Sequence, residues 1–283
     1  MNYSTWLNIL KILTLLCAGF TASFATAQSE QDSRWQLSLG VGLGVRTNPV
    51  MDNADIPLVL VPQISYQGDH FFIQNLDVGY ALYQDQHQQF SVLLTPSYDQ
   101  VFFNNWDANN FIVQNETTAI TKELPGAEPT NHQINKQLLH NRRMAALAGL
   151  EYNVNWNDVD LQVQALREVT GYYAGHELRM ALSKSISVGK HDVKLTLGAN
   201  WQSAETLSYF YGLEEEETVD SMPYKANPGV TTLLRFDWNY QLNERWGLRF
   251  FTSYRHLSDP IINSPLLTND NVITAFAGGV YHF

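Results

Sequence analysis

Apolar and polar residues alternate with a period of two along most of this chain, the pattern of β-strands whose two faces meet different surroundings. In Trp35–Arg46 one face is Trp35, Leu37, Leu39, Val41, Leu43 and Val45, and the other is Gln36, Ser38, Gly40, Gly42, Gly44 and Arg46. Pro57–Gln67 places Leu58, Leu60, Ile64 and Tyr66 on one face, Phe71–Tyr83 places Leu76, Val78, Tyr80 and Leu82, and Gln89–Tyr98 places Phe90, Val92, Leu94 and Tyr98. The alternation returns in Arg143–Trp156, Val159–Arg167, His176–Ile186, Asp192–Trp201, Thr231–Tyr240 and Trp246–Arg255. It ends in Asn271–Phe283, where Ile273, Ala275, Ala277, Gly279, Tyr281 and Phe283 share a face. No helical period outlasts a turn or two.

These are eleven segments, whereas a single-chain barrel takes an even number with both ends on one side. Counting back from Phe283, the short turns Gln241–Arg245, Gly189–His191 and Trp156–Asp158 share one side. The longer connections Ser258–Asp270, Gln202–Gly229 and Glu168–Gly175 take the other. Counting forward from Trp35 agrees only if one more strand lies between Gln100 and Thr121, and Asn109–Ala119 is the best stretch for it. The expected fold is all-β: a transmembrane antiparallel up-and-down β-barrel of about twelve strands, with ten as the fallback. A soluble sandwich would alternate in the same way. Against it, the apolar faces run the length of their strands and carry Trp35, Tyr152, Trp201, Tyr240, Trp246 or Tyr254 near an end, as interfacial aromatic girdles do.

The N-terminus adds an address. Lys11 precedes the apolar run from Ile12 to Phe20, and Ala25-Thr26-Ala27 forms a small-x-small cleavage site. This reads as a secretory signal peptide over residues 1–27, leaving a barrel domain over 28–283. Leu16 stands where a lipoprotein signal needs a small residue, so Cys17 is not a lipidation site. Cleavage removes one lysine and the single cysteine, leaving 16 Lys+Arg against 28 Asp+Glu and a net charge of −12. A cysteine-free exported chain has no disulfide framework, metal thiolate or thiol nucleophile, and the acidic balance excludes nucleic acid as a partner. A mean hydropathy of −0.22 looks soluble, but only alternate residues of a barrel face lipid.

Short motifs recur in a fixed order along the chain: the Gly-rich strand Leu39–Val45 is followed by Pro49, then by Phe71-Phe72 and Gly79-Tyr80. Tyr209-Phe210-Tyr211-Gly212 precedes an acidic loop, and Asp259-Pro260 and Asn263-Ser264-Pro265-Leu266-Leu267 come before the closing strand. This ordered set resembles the MipA/OmpV family of outer-membrane proteins. The terminal Phe283 is similar to the assembly signal of bacterial outer-membrane proteins. The first loop departs from the family: Pro49–Ile56 lacks the Tyr-x-Gly-Ser element that members often carry. The resemblance implies an outer-membrane scaffold in contact with membrane lipid and lipopolysaccharide. The name-giving member of the family links a lytic murein transglycosylase to a peptidoglycan synthase. Other members are discussed as adhesins, porin-like proteins or antibiotic-response proteins.

Candidate chemistry is sparse. His256 and Ser258 lie two apart, as in a dyad at a barrel's outer rim acting on acyl esters, although Asp259 points the other way and cannot orient the histidine. The plainer reading is a polar strand end. Glu214-Glu215-Glu216-Glu217 with Asp220 offers carboxylates to divalent cations bridging lipopolysaccharide phosphates, or is simply a solvated loop. Arg46, Glu151, Glu177, Arg179, Lys194, Arg235, Asp237, Arg249 and Arg255 fall on lumen faces, where they line a narrow pore or cross-link a filled one. His132, His140, His176 and His191 have no ligand spacing. No cofactor motif is present: there is no phosphate loop, dinucleotide fingerprint or spaced carboxylate pair, and no catalytic or metal residue is assigned. The expected protein is a non-enzymatic envelope scaffold, with a narrow porin and a rim lipid hydrolase as the alternatives.

Overall fold

The computed structural model describes residues 34–51, 53–102, 142–217 and 223–283. Residues 1–27 and Asn109–Ala119 therefore lie outside the described residues. Twelve antiparallel strands close into a barrel in which each pairs with its sequence neighbours and the first pairs with the last. They are β1 (Trp35–Arg46), β2 (Ile56–Gln67), β3 (Phe71–Gln74), β4 (Asp77–Gln84), β5 (Gln88–Pro96) and β6 (Ala146–Trp156). The second half is β7 (Val159–Glu168), β8 (His176–Val188), β9 (His191–Gln202), β10 (Gly229–Gln241), β11 (Trp246–His256) and β12 (Asn271–His282). Closure runs from Ser38↔His282 to Arg46↔Thr274, and Phe283 N donates to Leu37 O at 3.0 Å.

The barrel closes with the expected number of strands, but the twelfth arises where the pattern looked continuous. The Phe71–Tyr83 stretch is two strands, β3 and β4, joined at Asn75 and Leu76. Asn75 takes φ 55°, a left-handed conformation that asparagine tolerates better than most residues. Leu76 is a turn residue and not part of an apolar face. Asn157 (φ 58°) and Gly189 (φ 62°) make the tight β6–β7 and β8–β9 turns. All the short turns that follow even-numbered strands share an end with both barrel termini.

The facing follows the alternation almost everywhere. Leu43 (81% exposed), Leu82 (54%), Leu182 (47%) and Leu197 (54%) project outward from the wall, the surface that a lipid bilayer covers. In β2 the register shifts opposite Val41 and Gly44, which turns Leu58 into the lumen and keeps Ile64 outside. Leu58 thus leaves the outward face on which simple alternation puts it. At the end holding the short turns, aromatics form a band: Trp35 packs on Tyr66 (4.7 Å between ring centroids), Trp246 on Tyr281 (5.0 Å) and Tyr281 on Phe283 (5.0 Å). Amphipathic rings settle at this depth of a membrane.

Candidate functional site

The chemistry of this barrel lies in its lumen and in the cap over its outer mouth. All nine charges assigned to the lumen face it, as their strand register requires. Residues two apart on a strand share a face, so several of them pair along one strand. Arg179 binds Glu177 (2.9 Å), whose Oε2 also accepts from Asn200 Nδ2 at 3.3 Å. Arg235 donates twice to Asp237, at 2.7 and 2.6 Å, and Arg249 lies 3.7 Å from the same carboxylate. Glu151 accepts from Asn153 (2.7 Å), Gln162 (2.9 Å) and Gln164 (2.6 Å). Lys194 reaches Asp160 at 3.6 Å.

Two apolar clusters also occupy the lumen; their members, Leu58 and Phe72 apart, stand on faces that alternation marks as polar. One is Phe72, Leu93, Leu147 and Leu166; the other is Leu58, Phe251 and Phe276 with Val61. The guanidinium groups of Arg235 and Arg249 lie over the Phe251 ring at 4.8 and 5.4 Å. Between these contacts lie cavities of about 370, 260 and 390 Å3.

The outer mouth is covered by helix α1 (Ala204–Tyr211) and the short helix α2 (Asp259–Ile262). Ser203 caps α1 by accepting from Thr206 N. Leu207, Phe210 and Tyr211 from α1 and Ile261 from α2 pack with Val50, Ile56, Phe102 and Leu257 into one buried cluster. Tyr224 OH donates to Pro260 O (2.7 Å) and Ser264 Oγ to Tyr211 O (2.6 Å), so the two loops are joined. Burial raises the hydroxyl pKa values of Tyr173 and Tyr211. Both phenols stay neutral, as an apolar cap needs.

The acidic run divides. Glu214, Glu215 and Glu216 are exposed, but Glu217 is buried and binds Arg142 through both oxygens at 2.6 and 3.3 Å. Arg142 also donates to Gly212 O (2.8 Å) and Phe210 O (3.4 Å), tying the cap to the chain that enters β6. The sequence reading took the run as one loop feature and did not single out Arg142. Asp220 lies outside the described residues.

His256 and Ser258 are not joined by a hydrogen bond among the described residues. His256 is the exposed last residue of β11, while Ser258 is 5% exposed and begins α2. The strand ends between them, so the same-face spacing does not carry through. His176 and His191 are strand-end residues, with His191 stacked on Trp238 (6.0 Å); His132 and His140 lie outside the described residues. Among the described residues no group of three or more His, Cys, Asp or Glu side chains is placed to hold a metal ion.

Residues 39–283 match the family model described as MltA-interacting protein MipA. The MltA-interacting protein of Escherichia coli (strain K12) is 24% identical over 273 residues, spanning 96% of this chain and 99% of that protein. The putative outer membrane protein YiaT of the same organism is 23% identical over 276 residues, covering 96% of this chain and 98% of its own. Outer membrane protein OmpV of Vibrio cholerae is 22% identical over 143 residues, half of this chain and 56% of that one. Among solved structures, Acinetobacter baumannii OccAB3 aligns with 90% of this chain and 66% of its own at 8% identity, with a TM-score of 0.36. None of these three relatives is named as an enzyme. With its closed twelve-stranded wall and a family match over nearly its whole barrel, the chain is an outer-membrane β-barrel and belongs to the MipA (MltA-interacting protein) family.

Proposed function

We propose that this barrel is a non-catalytic envelope scaffold, exported after cleavage behind Ala27, that offers its periplasmic rim to a murein-processing enzyme. The observation that carries this reading is the outer cap: an apolar cluster braced by a buried ion pair closes the mouth that a conducting channel would keep open. A relative over almost the full length is named for interacting with MltA, and that name supplies the class of partner. The rim is compact. Arg34 pairs with Asp69 (3.3 Å), Lys184 with Asp158 (3.3 Å), and Lys190 donates to Leu242 O (3.2 Å), so the short turns present charged groups at this rim. On the membrane side the partners are lipid and lipopolysaccharide.

The test is capture of a purified lytic murein transglycosylase by the immobilised barrel, with an unrelated outer-membrane barrel as control. Equal capture by the two barrels removes the scaffold reading. The polar cavities in the lumen favour a second reading, a narrow porin for small solutes. Liposome swelling separates the two: rapid flux of small sugars through the intact barrel supports the porin, and no flux supports the capped scaffold.

A further inference from the structure

β3 has four residues, whereas β2, the strand it pairs with, has twelve. Their pairing stops at Ser65↔Gln74. Asn75 finishes it, its N donating to Ile64 O (2.7 Å) and its Oδ1 accepting from Ile64 N (3.1 Å). Beyond that point residues 56–63 pair with β1 alone among the described residues. Polar groups of a strand alternate in direction, so Pro62 presents its backbone to the same open side as Ile64. Proline has no N–H to give there, and an added strand would find one of its carbonyls unpaired. Among the described residues this edge is open.

The opening has a frame. One side is the β2 edge and the sill is the β3–β4 turn. The far side is a cluster in which Thr95 Oγ1 and Tyr98 OH both donate to Asp77 Oδ1, at 2.5 and 3.0 Å. The lintel is the single 3-10 turn Asp99–Phe102, whose Phe102 O accepts from Asn48 Nδ2 (3.3 Å) and Asn53 Nδ2 (3.0 Å). Residues from all four sides line one cavity of about 390 Å3, within the usual range of small-molecule sites. Its floor near the opening is apolar, with Leu58, Val61 and Phe102. Its inner wall holds Arg46, Arg235, Arg249 and Arg255.

Among the described residues this wall holds more guanidinium groups than carboxylates. Asp237 serves Arg235 and Arg249 together, and Asp77 is engaged by Thr95 and Tyr98. Arg249 Nε is buried without a hydrogen-bond partner, and the Arg255 side chain makes no hydrogen bond or salt bridge among the described residues. Guanidinium groups in this state suit a carboxylate or phosphate. Outside, the wall beside the frame is apolar, with Val59 and Ile64 39% and 43% exposed.

We propose that this frame is a lateral window in the membrane-facing wall and that the chamber behind it binds a single-chain anionic amphiphile. The carboxylate or phosphate head lies on Arg249 and Arg255. The acyl chain lies against Leu58, Val61 and Phe102 and leaves through the window into the outer leaflet. An added strand is the rival occupant of the edge, and Pro62 disfavours it.

Native mass spectrometry of the full barrel in a neutral detergent tests this with four probes: laurate, dodecyl phosphate, dodecanol and inorganic phosphate. Either anionic amphiphile, or both, should be retained at one per barrel, and dodecanol and inorganic phosphate should not. Arg255→Gln should weaken retention at least tenfold, and Gln63→Trp, which fills the frame, should abolish it. Heat-shifted gel migration reports whether each variant is folded, and Arg255→Gln carries the test if Gln63→Trp does not fold. A laurate with a diazirine at its tail should cross-link to residues 59–64 and 75–76. Undiminished retention by folded Arg255→Gln, cross-links spread evenly round the outer wall, or inorganic phosphate held as tightly as laurate would each overturn the proposal.

Discussion

Replacing Glu217 with glutamine probes what holds the outer cap. The Arg142 and Glu217 side chains are 6% and 1% exposed, and the carboxylate also accepts from Glu214 N at 3.0 Å. Glutamine preserves shape but takes the carboxylate charge of this pair away from the buried guanidinium. Breaking a buried pair in this way costs about 3–5 kcal/mol, of which glutamine's remaining hydrogen bond recovers a part. At about 1.4 kcal/mol per tenfold, even 3 kcal/mol lowers the protection of the cap amides by roughly a hundredfold. Hydrogen exchange over α1 and residues 212–217 reads this directly, while the strand amides of β8 to β11 stay protected. Glu216→Gln is the control, because Glu216 is exposed one residue away. Pairing Glu217→Leu with Arg142→Met should recover much of the loss, because two apolar groups leave no stranded charge. If Glu217→Gln and Glu216→Gln exchange alike, the pair does not hold the cap and the reasoning is wrong.

Three further outcomes follow from the same geometry. Leu182→Arg, on the lipid face of β8 opposite Leu197, should cost roughly 2–4 kcal/mol in urea unfolding from lipid vesicles if it lies near the bilayer midplane; no cost would place that face in water. A Cβ on Gly149 would come within 1.9 Å of Ala165 O, so Gly149→Ala should destabilise by about 1–3 kcal/mol. By contrast Gly279→Ala meets nothing nearer than 4.0 Å and should be silent in heat-shifted migration. In the β4–β5 turn, Asp85 accepts from His87 N (2.8 Å), Gln88 Nε2 (3.0 Å), Tyr83 OH (2.7 Å) and Gln88 N (2.9 Å), and these bonds, that from His87 foremost, hold its pKa below the usual range. A carboxyl with a depressed folded pKa stabilises fully above its unfolded value, near 4, and loses that contribution as pH falls from there towards the folded pKa. Asp85→Asn should therefore flatten the acid limb of the stability profile and leave stability unchanged with pH above 5.

The strands were legible because lipid outside and polar groups inside impose a period of two, and no soluble contact competes with it. β1, β6 and β9 to β12 face as their alternation dictates. Legibility fails where a local device breaks the period without breaking the pattern. Asn75-Leu76 carries no glycine, so the hairpin between β3 and β4 left an unbroken apolar alternation. The register shift in β2 moved Leu58 inward without any composition signal. Leu93, Leu147 and Leu166 stand on faces counted as polar, because they pack with one another and with Phe72 across the neighbouring strands β3 to β7, contacts that the alternation within one strand does not show. Glu217 looks the same as its three neighbours in the acidic run. Only the burial of Arg142, seventy-five positions away, separates it from them.

The division of labour inside the barrel bears on whether it conducts. The pairs Glu177–Arg179 and Arg235–Asp237 join residues of the same strand, so they neutralise one wall without bridging the bore. The Phe251–Phe276 stack (5.5 Å between centroids) likewise joins neighbouring strands of one wall, and what closes the mouth is the apolar cluster under α1. Charge pairs along a wall tune the field in the lumen, whereas packed side chains across the mouth exclude water. Removing a wall pair and loosening the cap should therefore differ in kind. Arg235→Gln should leave single-barrel conductance in a planar bilayer unchanged. Glu217→Gln should introduce brief openings, because the cap is what stands between the luminal cavities and the outer medium. Openings in Arg235→Gln and none in Glu217→Gln would place the seal in the wall charges and reverse this assignment.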